Sequence, residues 1–186
     1  MFLFTIFFNS VHLSYSQSLK PEYNISKPPS CSNNNGKNVY FENLDSKTGK
    51  FSAGVAKKDI NGLPVIYRFN FQKTPKSLQM FIDFHECAHH QTGDLDKKPS
   101  EQNSLEYMIK ESIADCVAAI RIKSDMINGK TLIEEVLVEL KKTMIIIGFP
   151  KLTIQSRVNN IKNCFKKDIL LKTYINKILE KRTLNQ

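Results

Sequence analysis

The chain has 186 residues, 41% of them hydrophobic and 24% charged, the balance of a folded protein of about one domain, which excludes wholesale disorder. No apolar run reaches the roughly eighteen residues that a membrane-spanning helix needs, so no integral membrane span is expected. The formal charge of +9 suits an anionic envelope surface, but the lysines are scattered among acids and do not alternate with aromatics as in a single-strand-binding groove, so no nucleic-acid partner is expected.

Residues 1–17 read as a signal peptide. An apolar block from Met1 to Phe8 is followed by Ser14-Tyr15-Ser16, a small-x-small spacing that places cleavage near Ser16-Gln17. The segment has no Lys or Arg ahead of its apolar block. Residues 18–37, rich in Pro, Ser and Asn, read as a flexible linker, and residues 38–182 as a single domain. Cys31, Cys87, Cys116 and Cys164 all lie beyond the cleavage point, and no CxxC spacing joins them. An even count without zinc-knuckle spacing suits one or two disulfides in a periplasmic or secreted protein, with three pairings open.

Residues 38–42 and 51–56 are β-prone, and Asn61-Gly62 marks a tight hairpin turn before a strand over 64–71. The period then changes. Thr74-Pro75 is an N-cap followed by proline at the first helical position. Leu78, Phe81, Ile82, His85 and His89 keep a 3.6-residue rhythm to about His90, and Gly93 stops it. A second helix is predicted from Asn103, with Glu106 completing a capping box, through Ile109 and Ile113 to about Ser124. A third starts at Thr131 with Glu134 and runs to Ile147, and segments 154–165 and 169–179 complete a helical C-terminal half. The predicted fold is α+β: a small antiparallel sheet packed on a mostly helical core.

The informative segment is His85-Glu86-Cys87-Ala88-His89, an HExxH motif inside the first predicted helix. Its i, i+4 spacing sets the two imidazoles about 40° apart on one face, one turn apart, from where both can reach one metal. Glu86 lies about 100° round from His85, beside the metal's open position, where a general base belongs. That face otherwise continues the apolar stripe of Leu78, Phe81 and Ile82, and a buried pair of imidazoles needs a partner.

An open catalytic zinc site needs a third protein ligand. The extended pattern HExxHxxGxxH fails, because Thr92 and Leu95 stand where Gly and His should be. Asp94 and Asp96 fall in a polar loop where acids are expected in any case. The better candidate is Glu111, twenty-two residues beyond His89 and mid-helix, sharing a face with Asp115 at i, i+4. One carboxylate is then available for the metal and one for the second nitrogen of a ligand histidine. Zinc is the expected cofactor, held between two helices.

HExxH followed by ExxAD resembles the gluzincin metallopeptidases, and among them the HtpX and CAAX prenyl endopeptidase family with its small exported relatives. The stretch 51–67 is similar to the strand pair ahead of the motif helix, whose edge strand aligns peptide in that family. Residues 111–119 (ESIADCVAA) resemble its third-ligand helix, and Phe149-Pro150 with Arg157-Val158 resembles its His-Pro…Arg-Ile segment. The resemblance spans roughly residues 38–165 and implies a peptide or protein substrate. It implies His85, His89 and Glu111 as zinc ligands, Glu86 as the residue that activates water, and Asp115 paired with Arg157 around them. The departure is Phe149, which stands where the family has a histidine that stabilises the oxyanion. His90, Tyr107 and Arg157 are candidates to replace it, His90 reading as a surface or outer residue. Phe149 keeps a second function open, a catalytically weak or inactive zinc-binding module of the cell envelope. A basic envelope protein in which HExxH is accidental is the third.

Overall fold

The structure, a computed structural model, describes residues 27–44, 53–102 and 104–183. The expected signal peptide, the first part of the expected linker, and Phe51, Ser52 and Asn103 lie outside the described residues. Three strands form one sheet in the order β1-β3-β2: β1 (Tyr40–Leu44), β2 (Ala53–Lys58) and β3 (Pro64–Phe69). β3 is central and the most buried of the three, as its Val, Ile, Tyr and Phe content requires.

The sheet is mixed, which corrects the antiparallel expectation. β2 and β3 form the expected antiparallel hairpin, with Ala56 opposite Ile66 and Gly62 at φ 75° in the turn. β1, however, runs parallel to β3, with Tyr40 opposite Val65 and Leu44 opposite Phe69. The chain reverses direction twice between β1 and β3, and β3 inserts between the first two strands instead of adding outside them. Alternating hydrophobicity specifies which face of a strand is buried but not its neighbour, so this order was not legible in the sequence.

Five helices follow: α1 (Lys76–Gln91), α2 (Leu105–Asp125), α3 (Gly129–Ile147), α4 (Lys151–Lys166) and α5 (Leu171–Thr183). α1 begins one residue later than the Thr74 cap predicts, with Pro75 itself in the cap position. The Gln79 side-chain amide donates to the carbonyls of Phe71 and Thr74 and so anchors this end. α2 is capped by Ser104 and not by Asn103. Its hydroxyl accepts from the Tyr107 amide at 3.1 Å, while Glu106 pairs with Lys110 at 2.9 Å and takes no part in a capping box. α3 starts at Gly129, two residues before the predicted Thr131 cap. Among the described residues, no helix is long and apolar enough to cross a membrane.

The core lies where α1 to α4 meet, around Phe81, Phe84, Ile122, Val136 and Ile161. A smaller cluster of Cys31, Val39, Ile66 and Cys87 joins the sheet to the back of α1. Between them Arg68 of β3 and Asp83 of α1 form a fully buried pair, with Nε donating to Oδ1 at 2.8 Å. The guanidinium also lies over the Phe41 ring at 4.6 Å. Removing either partner would weaken the compensation of a buried charge, so this pair helps to hold the sheet's position on α1. The cysteines stand in two pairs at disulfide distance. Cys31 and Cys87, with Cα atoms 5.9 Å apart, tie the N-terminal segment to α1; Cys116 and Cys164, 5.1 Å apart, tie α2 to α4.

Candidate metal centre

α1 runs through the middle of the molecule, buried on most of its circumference, and α2 crosses it. Their contact brings Glu111 to the two imidazoles. Glu111 Oε2 is 3.2 Å from His85 Nε2, and Oε1 is 3.5 Å from His89 Nε2. The two Nε2 atoms are 3.3 Å apart. These three residues form a group that can hold a metal ion, with ligand atoms all within 4.8 Å of one another.

Each imidazole is held from behind. His85 Nδ1 is 2.9 Å from Asp115 Oδ1, and His89 Nδ1 is 2.8 Å from Asp94 Oδ2. An ionised carboxylate only accepts, so each Nδ1 is the donor, and in the neutral ring each Nε2 lone pair is aimed at the shared point. The carboxylates are braced in turn. Arg157 on α4 grips both oxygens of Asp115, at 2.8 and 2.9 Å. Arg182 on α5 lies 2.6 Å from the second oxygen of Asp94 and donates to the Thr92 carbonyl. Two Arg–Asp–His chains therefore converge on one point, one from each side.

The electrostatics follow from this crowding. Burial alone would lower the His85 pKa, but Asp115 and Glu111 outweigh it and push the imidazole up to about 10. Burial likewise works to raise Asp115, yet Arg157 and His85 hold it down to about 2. Glu111 and Asp94 are also held below the usual carboxylate range against their burial, by His85 and His89 respectively, with Arg157 and Arg182 adding to each. With both imidazoles neutral, as metal ligands must be, Glu86, Asp94, Glu111 and Asp115 are four carboxylates set against two guanidinium groups. That leaves the charge one divalent cation would balance, and nitrogen and oxygen donors of this kind suit zinc.

Glu86 does not join the three ligand residues. Its Oε2 accepts from the Ala56 backbone amide of β2 at 2.8 Å. That amide is available because β2 is an edge strand. Gly54 makes the approach possible: a Cβ there would stand 2.5 Å from Glu86 Cγ and 2.6 Å from Ile82 Cγ2. The motif carboxylate thus sits between helix and sheet, at the rim of a groove of about 500 Å³. The groove is walled by residues 53–56 of β2 on one side and by Tyr107 and Arg157 on another, with Met144, Ile147 and Phe149 at one end.

The six residues singled out in the sequence are thus brought together: His85, His89 and Glu111 around one point, Asp115 and Arg157 behind His85, and Glu86 beside them. Of the three residues considered as oxyanion donors, Tyr107 and Arg157 line the groove with Phe149, and burial together with Glu111 raises the Tyr107 hydroxyl pKa. His90 does not reach it. Only 3% exposed, it contacts the Val65 carbonyl through Nε2 at 3.0 Å and fastens α1 to β3, so it is neither a surface nor an outer site residue. Sequence reasoning missed Asp94. Gly93, at φ 70°, folds the chain back after α1 and returns Asp94 to His89, so an acid just after a helix-ending glycine was the available signal. Nothing in the sequence marked Arg182. No protein-family model, curated protein or solved structure matches the chain.

Proposed function

We propose that this protein is a zinc-dependent metalloendopeptidase that acts outside the cytoplasm, with His85, His89 and Glu111 holding the ion. The observation that carries this reading is the convergence of two Nε2 atoms and one carboxylate, each imidazole fixed by its own buried aspartate, beside a glutamate that is left out of the set. A bound zinc ion supplies a Lewis acid that polarises a peptide carbonyl and acidifies a water molecule. Glu86 takes the proton of the attacking water on its carboxylate and passes it to the departing amine nitrogen. The Ala56 amide holds that carboxylate at the groove rim until substrate enters. Tyr107 and Arg157, on the groove wall, are the donors available to the developing oxyanion in place of a histidine. Two cysteine pairs at disulfide distance support an oxidising compartment, periplasmic or extracellular.

One specific observation favours a second reading. Phe149 lies on the groove wall, 43% exposed, and offers no hydrogen bond there. A zinc-binding module of the cell envelope with little or no catalysis would need no donor at that position.

Two measurements separate the readings. About one zinc per chain in the wild type, lost in His85→Ala and Glu111→Ala, establishes the ligand set; zinc indifferent to Glu111 overturns both. Glu86→Gln should keep the metal and lower cleavage of an unfolded protein substrate by at least about 100-fold. A wild-type chain that holds zinc and cleaves nothing supports the module.

A further inference from the structure

The corner between α3 and α4 carries a feature that the metal centre does not use. From Ile145 to Leu152 every residue is exposed, and most are apolar: Ile145 57%, Ile146 69%, Ile147 48%, Phe149 43% and Leu152 82% exposed. Large aliphatic side chains grouped this way cost solvation free energy unless something covers them. The charged residues along this part of the chain have one sign. Lys141 and Lys142 lie one turn before the apolar tip and Lys151 within it, all exposed. No Asp or Glu occurs anywhere from residue 141 to residue 167. Lys142 is paired with Glu139, the last acid of α3.

We propose that this corner docks on an anionic phospholipid surface, with Ile146, Phe149 and Leu152 entering the head-group boundary and Lys141 and Lys151 meeting the lipid phosphates. Apolar tips ringed by lysine are what an anionic interface binds, through buried aliphatic area and phosphate attraction together. A second copy of the chain is the poorer occupant, because the same corner would bring the same lysines against these. Nucleic acid is poorer too, since a single ring, Phe149, stands among aliphatic side chains that have no base to stack on. Ile147 and Phe149 also border the groove, so docking turns its mouth toward the lipid. The inference does not depend on the metallopeptidase reading and survives its failure.

The test is sedimentation of the full chain with vesicles of phosphatidylglycerol and phosphatidylcholine, against pure phosphatidylcholine vesicles. Binding to the anionic vesicles is expected, weakening as salt is raised. Ile146→Asp and Leu152→Asp, at sites too exposed to unsettle the fold, should each weaken it by about tenfold or more. Lys151→Gln should weaken it by about fivefold, which is about 1 kcal/mol per lysine. Thermal unfolding of the variants should match the wild type. No binding by the wild type, equal binding in the aspartate variants, tighter binding to a DNA duplex than to vesicles, or wild-type self-association that Leu152→Asp abolishes would each overturn the proposal.

Discussion

Arg182 Nη2 lies 2.6 Å from one oxygen of Asp94, while the other oxygen is 2.8 Å from His89 Nδ1. A residue near the end of a helix with no buried side chain thus braces a histidine of the metal centre from ninety-three positions away. Arg182→Ala should lower zinc affinity about tenfold or more, as loss of such an outer partner does, and Arg182→Lys should restore part of it. Competition with a calibrated chelator measures this. A melting point of the metal-free protein that stays near wild type would place the effect at the site and not in the fold.

Zinc uptake should release protons. In the metal-free protein Asp115 and Glu111 keep His85 charged to about pH 10, whereas a metal ligand must be neutral. Calorimetric titration at pH 7 in buffers of different ionisation enthalpy should therefore show about one proton leaving His85 per zinc bound, and apparent affinity should rise as pH rises toward 10. The same shift has a stability sign. Because the folded value lies above the unfolded 6.5, the contribution is complete below pH 6.5 and is lost as pH rises through about 10.

Asp115 gives the opposite limb. Its folded pKa of about 2 lies below the ordinary 3.8, so its contribution is complete above pH 3.8 and is lost as pH falls through about 2. The size is about 2 kcal/mol, less than two pKa units at 1.36 kcal/mol each. Arg157→Ala should cost about 2–3 kcal/mol at neutral pH, less than an uncompensated buried charge would, because His85 stays beside the Asp115 carboxylate. It should also move acid unfolding to higher pH. Denaturant titrations at a series of pH values measure both effects.

Gly54→Ala tests the link between the sheet and Glu86. Its Cβ would stand inside contact distance of both Glu86 Cγ and Ile82 Cγ2, and the overlap should cost about 1–3 kcal/mol. Glu86 should be pushed off the Ala56 amide. The expected signature is faster hydrogen exchange at Ala56 with zinc content unchanged, and loss of any cleavage activity. Unchanged exchange at Ala56 would mean that the carboxylate is held by something else.

Much of the local structure is legible in the sequence. The helices follow from apolar spacing, and errors of one or two residues at their starts arose where several polar residues compete for the cap, as Asn103 and Ser104 do. The hairpin was visible in Asn61-Gly62, since a local turn needs only local residues. The place of β1 beside β3 was not, because a strand's pattern is silent about its neighbour. His85, Glu86 and His89 could be named as a unit because i, i+4 geometry is a property of one helix.

Everything that joins separate elements belongs to the tertiary structure. Which acid meets which imidazole depends on the α1–α2 crossing, which sets Glu111 between the two Nε2 atoms and Asp115 behind His85, while the loop after α1 brings Asp94 behind His89. Glu86's attachment to β2 depends on a close approach permitted by one missing Cβ. His90 shows the difference most simply: next to His89 in sequence, it is turned into the sheet and bonded to Val65, because neighbouring helical positions face different surroundings. The sequence determined the donor types and their local spacing, since a helix fixes the angle between its own side chains. Packing alone decided their partners, because contacts between elements depend on where distant parts of the chain bury their apolar faces.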